Sequence, residues 1–208
     1  KEAGARAISD DGNPVPGRRL MRNALIKGKE CRILVNPHCE ESALYRERIL
    51  SNQEKLGPQS FSFQMPYSSP GADPYTSEAG FIKRDIELAE KTEARIHISH
   101  VSLAKSVEII AEAKKRGVRV TAEATPHHLL LTEKIAKEIG PNAKVNPPLR
   151  SAEDVAAVRE GLSKGTIDII ASDHAPHSPE EKNRDWEKAP FGVIGLETTL
   201  GLVLTFLV

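Results

Sequence analysis

Apolar positions along this chain follow two alternating periods. Short runs rich in β-branched and aliphatic residues predict strands at Ala5–Ser9, Cys31–Asn36 (CRILVN), Arg95–Ser99, Val118–Ala124 (VRVTAEA) and Thr166–Ala171. Between them lie helical patterns over Gly17–Lys27, Glu40–Asn52, Ser77–Lys91, Leu103–Arg116, Thr132–Ile139, Ser151–Lys164 and Ile194–Phe206. Gly117 and Gly140 are the expected stops of two of these helices. Ser151 is a suitable N-cap, with Asp154 three residues on in a relative of the capping box. Leu56–Thr76 is rich in Pro, Ser, Gly and Tyr and reads as an irregular excursion rather than a linker. There are no internal repeats.

Each of the five strands is followed by a helix or by an excursion containing one. A parallel neighbour can only be reached by a crossover, so the alternation predicts a parallel α/β sheet. An open doubly wound sheet and a (β/α) barrel both satisfy it. Neither GxGxxG nor GxxxxGK[ST] occurs, which removes support for phosphate-binding open sheets. A closed eight-stranded barrel needs about 250 residues. The 208 residues suit five of its eight units, read as one incomplete barrel domain over residues 1–208. The chain begins at Lys1 rather than Met and stops within an apolar helical pattern, so a part of a longer protein is expected.

Composition narrows the function classes. Lys plus Arg and Asp plus Glu both number 29, and the basic residues are dispersed, so no nucleic-acid partner is expected. The longest apolar stretch, GLVLTFLV at the C-terminus, is too short to span a bilayer, and no signal peptide is visible. Cys31 and Cys39 have no CxxC spacing, so a reduced, cytoplasmic setting is the expectation.

The polar residues at the strand ends carry the chemistry. Asp10 and Asp11 follow the first strand, His38 the second, His100 the third, His127 and His128 the fourth, and Asp173, His174 and His177 the fifth. In parallel α/β folds this edge carries the active site, and a barrel gathers all its strand ends around one mouth. Imidazoles and carboxylates together suit a divalent metal. Singly, each has a plainer reading: Asp-Gly forms turns, and His38 follows a proline in a loop. His97 and His100 have opposite parity, so His97 packs elsewhere. Asp173, directly after IDIIAS, would be poorly solvated unless paired. KVNPPLR (Lys144–Arg150) offers Asn146 on a proline-stiffened platform, and APFGVIGLET (Ala189–Thr198) offers glycines for close backbone approach to a ligand.

HISHVS, TAEATPHHLLLT, KVNPPLR, IDIIASDHAPH and APFGVIGLET, in this order, resemble the class I dihydroorotases of the amidohydrolase superfamily. SDDGNPV and PHCE fit the same template, so the resemblance covers essentially all 208 residues. It implies a (β/α)8 TIM barrel of the amidohydrolase type, of which this chain holds strands four to eight. It also implies a centre of one or two zinc ions. Asp11 resembles the carboxylate bridging two metals, His38 and His100 the ligands of the second metal, and Asp173 a ligand of the first that also moves the proton. Asn146, His177, Phe191 and Gly192 resemble the substrate-holding positions, His177 facing the substrate carboxylate. The family's HxH motif, which supplies two further ligands, is absent; HISH is HxxH and lies on a later strand.

The implied reaction is the reversible interconversion of N-carbamoyl-L-aspartate and L-dihydroorotate in pyrimidine synthesis, with Asp173 as catalytic proton carrier. Allantoinases and hydantoinases share the fold and metal logic and are the alternative cyclic amidases. A non-catalytic dihydroorotase-like subunit is the alternative of a different class. A homodimer, or an assembly with aspartate transcarbamoylase, is what the resemblance implies about partners.

Overall fold

The computed structural model describes residues 2–15, 17–39 and 78–208. Five parallel strands form one sheet in sequence order: β1 (Ala7–Ser9), β2 (Leu34–Asn36), β3 (Ile96–Ile98), β4 (Val120–Ala124) and β5 (Ile169–Ile170). The register pairs Val35 with Ile96, Ile96 with Val120, and Glu123 with Ile169. A sheet whose spatial order equals its chain order is the wall of a barrel; a doubly wound sheet reverses direction at a switch point.

The helices are α1 (Arg18–Cys31), α2 (Glu78–Thr92), α3 (Ala104–Lys115), α4 (Pro126–Leu130), α5 (Glu133–Ile139), α6 (Ala152–Ser163), α7 (Pro179–Lys182) and α8 (Thr199–Phe206), with a 3₁₀ turn at Gly140–Ala143. Their buried stripes follow helical spacing. Met21, Leu25 and Gly28 line α1, and Ile82, Ile86 and Ala89 line α2. They pack on Val35, Ile96, Ile98, Ala122 and Ala124 of the strands. Gly28 allows close approach, since a Cβ there would lie 2.6 Å from Val35 Cγ2. A smaller cluster of Ala136, Ala143, Val145 and Leu149 carries the KVNPPLR segment, whose Asn146–Pro147 bond is cis.

Several boundaries differ from the sequence reading. The first helix runs to Cys31, and Arg32 closes it in the left-handed conformation (φ 53°), so the next strand starts at Leu34 rather than Cys31. The fifth strand shrinks to Ile169–Ile170. The last helix begins at Thr199, not Ile194, because residues 193–196 are held by the segment after β5: Ala175 N donates to Val193 O at 3.0 Å, and Gly195 N and Leu196 N reach His174 Nδ1. Two short helices went unread. Thr125 caps α4, with Pro126 in its first turn; Ser178 and Glu181 form a full capping box on α7. The expected helix Glu40–Asn52 and the excursion Leu56–Thr76 lie outside the described residues.

Candidate active site

Of the acidic and imidazole side chains noted in the sequence, the C-terminal ends of the strands bring Asp10, His38 and His100 into contact. After β2, half-buried His38 sits with its ring centroid 5.1 Å from that of His100, which follows β3. His38 Nδ1 lies 2.6 Å from Asp10 Oδ1, and His38 N also donates to that oxygen at 3.0 Å. Gly12 N lies 3.1 Å from the same Nδ1. One nitrogen cannot donate to Asp10 and accept from Gly12 together. The shorter, charge-assisted contact decides it: the proton sits on Nδ1 and points at Asp10, which leaves Nε2 as the basic nitrogen. A carboxylate behind an imidazole orients and enriches it as a metal ligand.

His100 is buried with a positive φ of 33°, and among the described residues nothing lies within hydrogen-bond reach of its Nδ1. Burial, together with the His38 ring, holds its imidazole below the ordinary range, while the charge of Asp173 pulls the other way. The ring is therefore neutral near pH 7, the form that binds a cation.

Asp11 and Asp173 also have positive φ, 51° and 47°, and both are exposed. The expectation that Asp173 would be poorly solvated is corrected: β5 is a two-residue edge strand, and the turn after it opens to water. Asp11 faces solvent, its N–H bonded to Ser9 Oγ at 3.1 Å; its neighbour Asp10 holds His38.

The substrate-side residues form a second group. His177 Nε2 lies 2.9 Å from Phe191 O, which can only accept, so that nitrogen carries the proton. Gly192 N donates to Lys144 O at 2.9 Å, which brings the Phe191–Gly192 segment beside the platform carrying Asn146. Gly192 has φ 130°, and a Cβ there would lie 2.6 Å from both Cβ and O of Ala175. His177, Phe191 and Gly192 are thus drawn together, with half-buried Asn146 on the adjoining loop.

Three sets of contacts could not be read from the sequence, although His128 and Asp10 stand among its strand-end residues. The first is His128, whose Nε2 donates to Pro147 O at 2.9 Å while Thr125 Oγ1 lies 2.9 Å from Nδ1. Burial pushes this imidazole down to about 3, so it is a neutral strut under the Asn146 platform. The second is a buried network in which Arg150 Nε donates to Ser102 Oγ at 3.0 Å and Glu78 accepts from Ser102 N, Ser102 Oγ and Leu103 N. It ties the loop after His100 to α2 and to the end of the platform. The third is Asp10. Their trace in the sequence is position alone: Ser102 stands two residues after His100, Asp10 beside Asp11, and His128 among the polar residues after the fourth strand. Cys39, next to His38, is buried 3.7 Å from Asp85 Oδ2, and burial pushes its thiol well up, so it offers no thiolate.

Among the described residues, no group of three or more His, Cys, Asp or Glu side chains is placed to hold a metal ion. The donors present nonetheless fit one in kind. Buried His100 keeps a nitrogen with no partner among the described residues, and His38 faces it with a carboxylate fixing its tautomer. Two imidazoles are an incomplete set, which Asp11 and Asp173 would extend. No helix among the described residues is long and apolar enough to cross a membrane.

No family model matches the chain. Its curated relatives are consistent among themselves. A dihydroorotase of Pelotomaculum thermopropionicum is 50% identical over 211 residues, and one of Endomicrobium trichonymphae is 46% identical; each alignment covers 100% of this chain and 47% of the relative. The chain spans about half the length of the curated relatives it matches. Among solved structures, an L-hydantoinase (dihydropyrimidinase) from Arthrobacter aurescens matches with a TM-score of 0.74 at 30% identity, covering 92% of this chain and 43% of that one. A D-hydantoinase (dihydropyrimidinase) from Thermus sp. gives the same TM-score at 26% identity, covering 89% and 41%. The parallel sheet is therefore part of an amidohydrolase-type TIM barrel. With that fold and with dihydroorotases matching it from end to end, the chain is similar throughout its length to a part, about half, of a dihydroorotase.

Proposed function

We propose that this chain is part of a zinc-dependent dihydroorotase, which interconverts N-carbamoyl-L-aspartate and L-dihydroorotate in pyrimidine synthesis. The observation that carries the reading is the facing pair His38 and His100 at adjacent strand ends, one braced by Asp10 and the other buried, neutral and, among the described residues, unpartnered at Nδ1. Asp11, His38, His100 and Asp173 are the residues that would hold zinc, as one ion or two. Zinc supplies an ionisable water near neutral pH and polarises the amide carbonyl.

The chain's own residues do the rest. Asp173, exposed at the mouth, takes the proton of the attacking water and delivers it to the ring nitrogen as the C–N bond breaks. Its open turn suits a carboxylate that must reach both water and leaving group. Asn146, His177, Phe191 and Gly192 hold the ring in place.

A hydantoinase-type activity is the second reading, favoured by the structural neighbours at 26–30% identity. The 46–50% identity to dihydroorotases along the whole chain outweighs it. The test uses the full-length protein that carries this chain. Turnover of L-dihydroorotate should exceed that of allantoin, hydantoin and dihydrouracil; the reverse order selects the second reading. Asp173→Asn should lower kcat by about 10²-fold or more, the range of general acid–base catalysis. Near-normal turnover of that variant excludes the proton-carrier role.

A further inference from the structure

Two buried lysines stand behind the Phe191–Gly192 segment, outside the ligand set. Lys144 lies two residues before Asn146, and Lys182 ends α7. Both are over nine-tenths buried, at 5% and 8% exposure. The Lys144 ammonium donates to the carbonyls of Trp186 at 2.5 Å and Ala189 at 2.6 Å, and sits 4.5 Å above the Phe191 ring. The Lys182 ammonium reaches Gly192 O at 2.9 Å, Pro190 O at 3.1 Å and Lys144 O at 3.4 Å.

Main-chain carbonyls that converge on one point repel one another unless a cation lies among them. A surface loop ordinarily turns its carbonyls to water. Between Trp186 and Gly192 they turn inward onto the two ammonium groups instead. An ammonium has three donors and no acceptor, so Lys182 is matched by its three carbonyl oxygens. A buried cation gives up its hydration, at a cost that its contacts must offset. The loop and the lysines therefore order together, and the carbonyls that offset that cost are those flanking Phe191.

We propose that Lys144 and Lys182 are positioning residues, whose ammonium groups clasp the 186–192 loop and set Phe191 and Gly192 against Asn146 and His177. This rests on the proposed reading of those four residues as the substrate-holding group. Gly192 links the parts: its O accepts from Lys182, its N donates to Lys144 O, and a Cβ added to it would lie 2.6 Å from Ala175. The clasp acts on substrate binding and not on the proton transfer at Asp173.

The experiment compares wild type, Lys182→Met and Lys182→Gln in the full-length metal-loaded protein. Kinetics on L-dihydroorotate and amide hydrogen exchange over 183–193 are both measured. Methionine keeps the apolar stem and removes the ammonium. The expected result is a KM raised roughly tenfold with kcat changed less than about threefold, the pattern of lost uniform binding, together with faster exchange confined to that loop. An unchanged KM, or a fall in kcat at constant KM, overturns the proposal. Should Lys182→Met not fold, Lys182→Gln is judged by the same criteria. Should wild type hydrolyse no cyclic amide, the functional reading fails by itself. The exchange data then decide the clasp: faster exchange in the loop of the variant supports it, and equal rates overturn it.

Discussion

Asp10 and Asp11 are chain neighbours with different partners. The resemblance to dihydroorotases singles out Asp11 as a metal carboxylate, and the structure gives Asp10 the His38 imidazole at 2.6 Å. Asp10→Asn should therefore lower zinc affinity by about 10- to 100-fold through loss of His38 orientation, as other supporting carboxylates do. Competitive zinc titration of the full-length protein checks this, and unchanged affinity removes Asp10 from the site. His128 makes a second residue-level prediction. Its folded value of about 3 lies below the ordinary 6.5, so between these the unfolded chain binds a proton that the fold does not. The stability tied to its neutral form is complete above about pH 6.5 and is lost as pH falls toward 3. His127, lowered by burial and by the neighbouring His128 and His100 rings, acts in the same direction. Unfolding free energy should drop by on the order of a few kcal/mol between pH 6.5 and 4. Urea titrations across that range read the slope, which should flatten in His128→Asn; a midpoint independent of pH contradicts the assignment.

At the scale of elements, the cap of one helix was legible although the bounds of the first and last helices were not. Ser151 caps α6 as its sequence suggests, its Oγ accepting from Asp154 N at 3.2 Å. Ser151→Ala should cost about 1 kcal/mol, seen as a lower urea midpoint at unchanged slope. Gly161, on the same helix, has a reason that sequence does not supply. A Cβ there would lie 2.8 Å from Val107 Cγ1, so α3 and α6 meet through it. Gly161→Ala, which improves helix propensity by up to ~1 kcal/mol, should instead destabilise by about 1–3 kcal/mol through overpacking. A stabilised variant would show that the two helices separate easily. The shortened last helix follows the same logic: residues 194–198 have a helical pattern, but His174 and Ala175 claim the backbone groups around them.

At the scale of the molecule, neither margin of the sheet is paired with another strand among the described residues. Ile8 on β1 is 44% exposed and Ile169 on β5 is 47% exposed, and Ile194, Leu196, Leu200, Leu204 and Phe206 add an apolar surface near the second margin. Unpaired parallel edges flanked by apolar side chains favour association. The 208-residue polypeptide prepared alone should self-associate at micromolar concentration, whereas full-length protein should give a discrete species; sedimentation velocity distinguishes them. A well-behaved monomer of the isolated chain would mean that these surfaces are covered in a way the exposed residues do not indicate.

The spatial order of the strands could not be determined from the βα alternation, which a doubly wound sheet and a barrel share; parallel direction and the strand-end location of His38, His100 and Asp173 could. Each depends on local period and on the chirality of a strand–helix–strand crossover, which a linear pattern carries. The family resemblance could be read too, because long ordered segments such as IIASDHAPH leave little room for chance. What sequence could not supply was any relation set by distance across the fold: Asp10 rather than Asp11 against His38, His128 under Pro147, and two lysines closing on the carbonyls around Phe191. These pairings join residues from 8 to 45 positions apart along the chain. They exist because buried polar groups must find partners, and the packing of the core determines which partners come within reach.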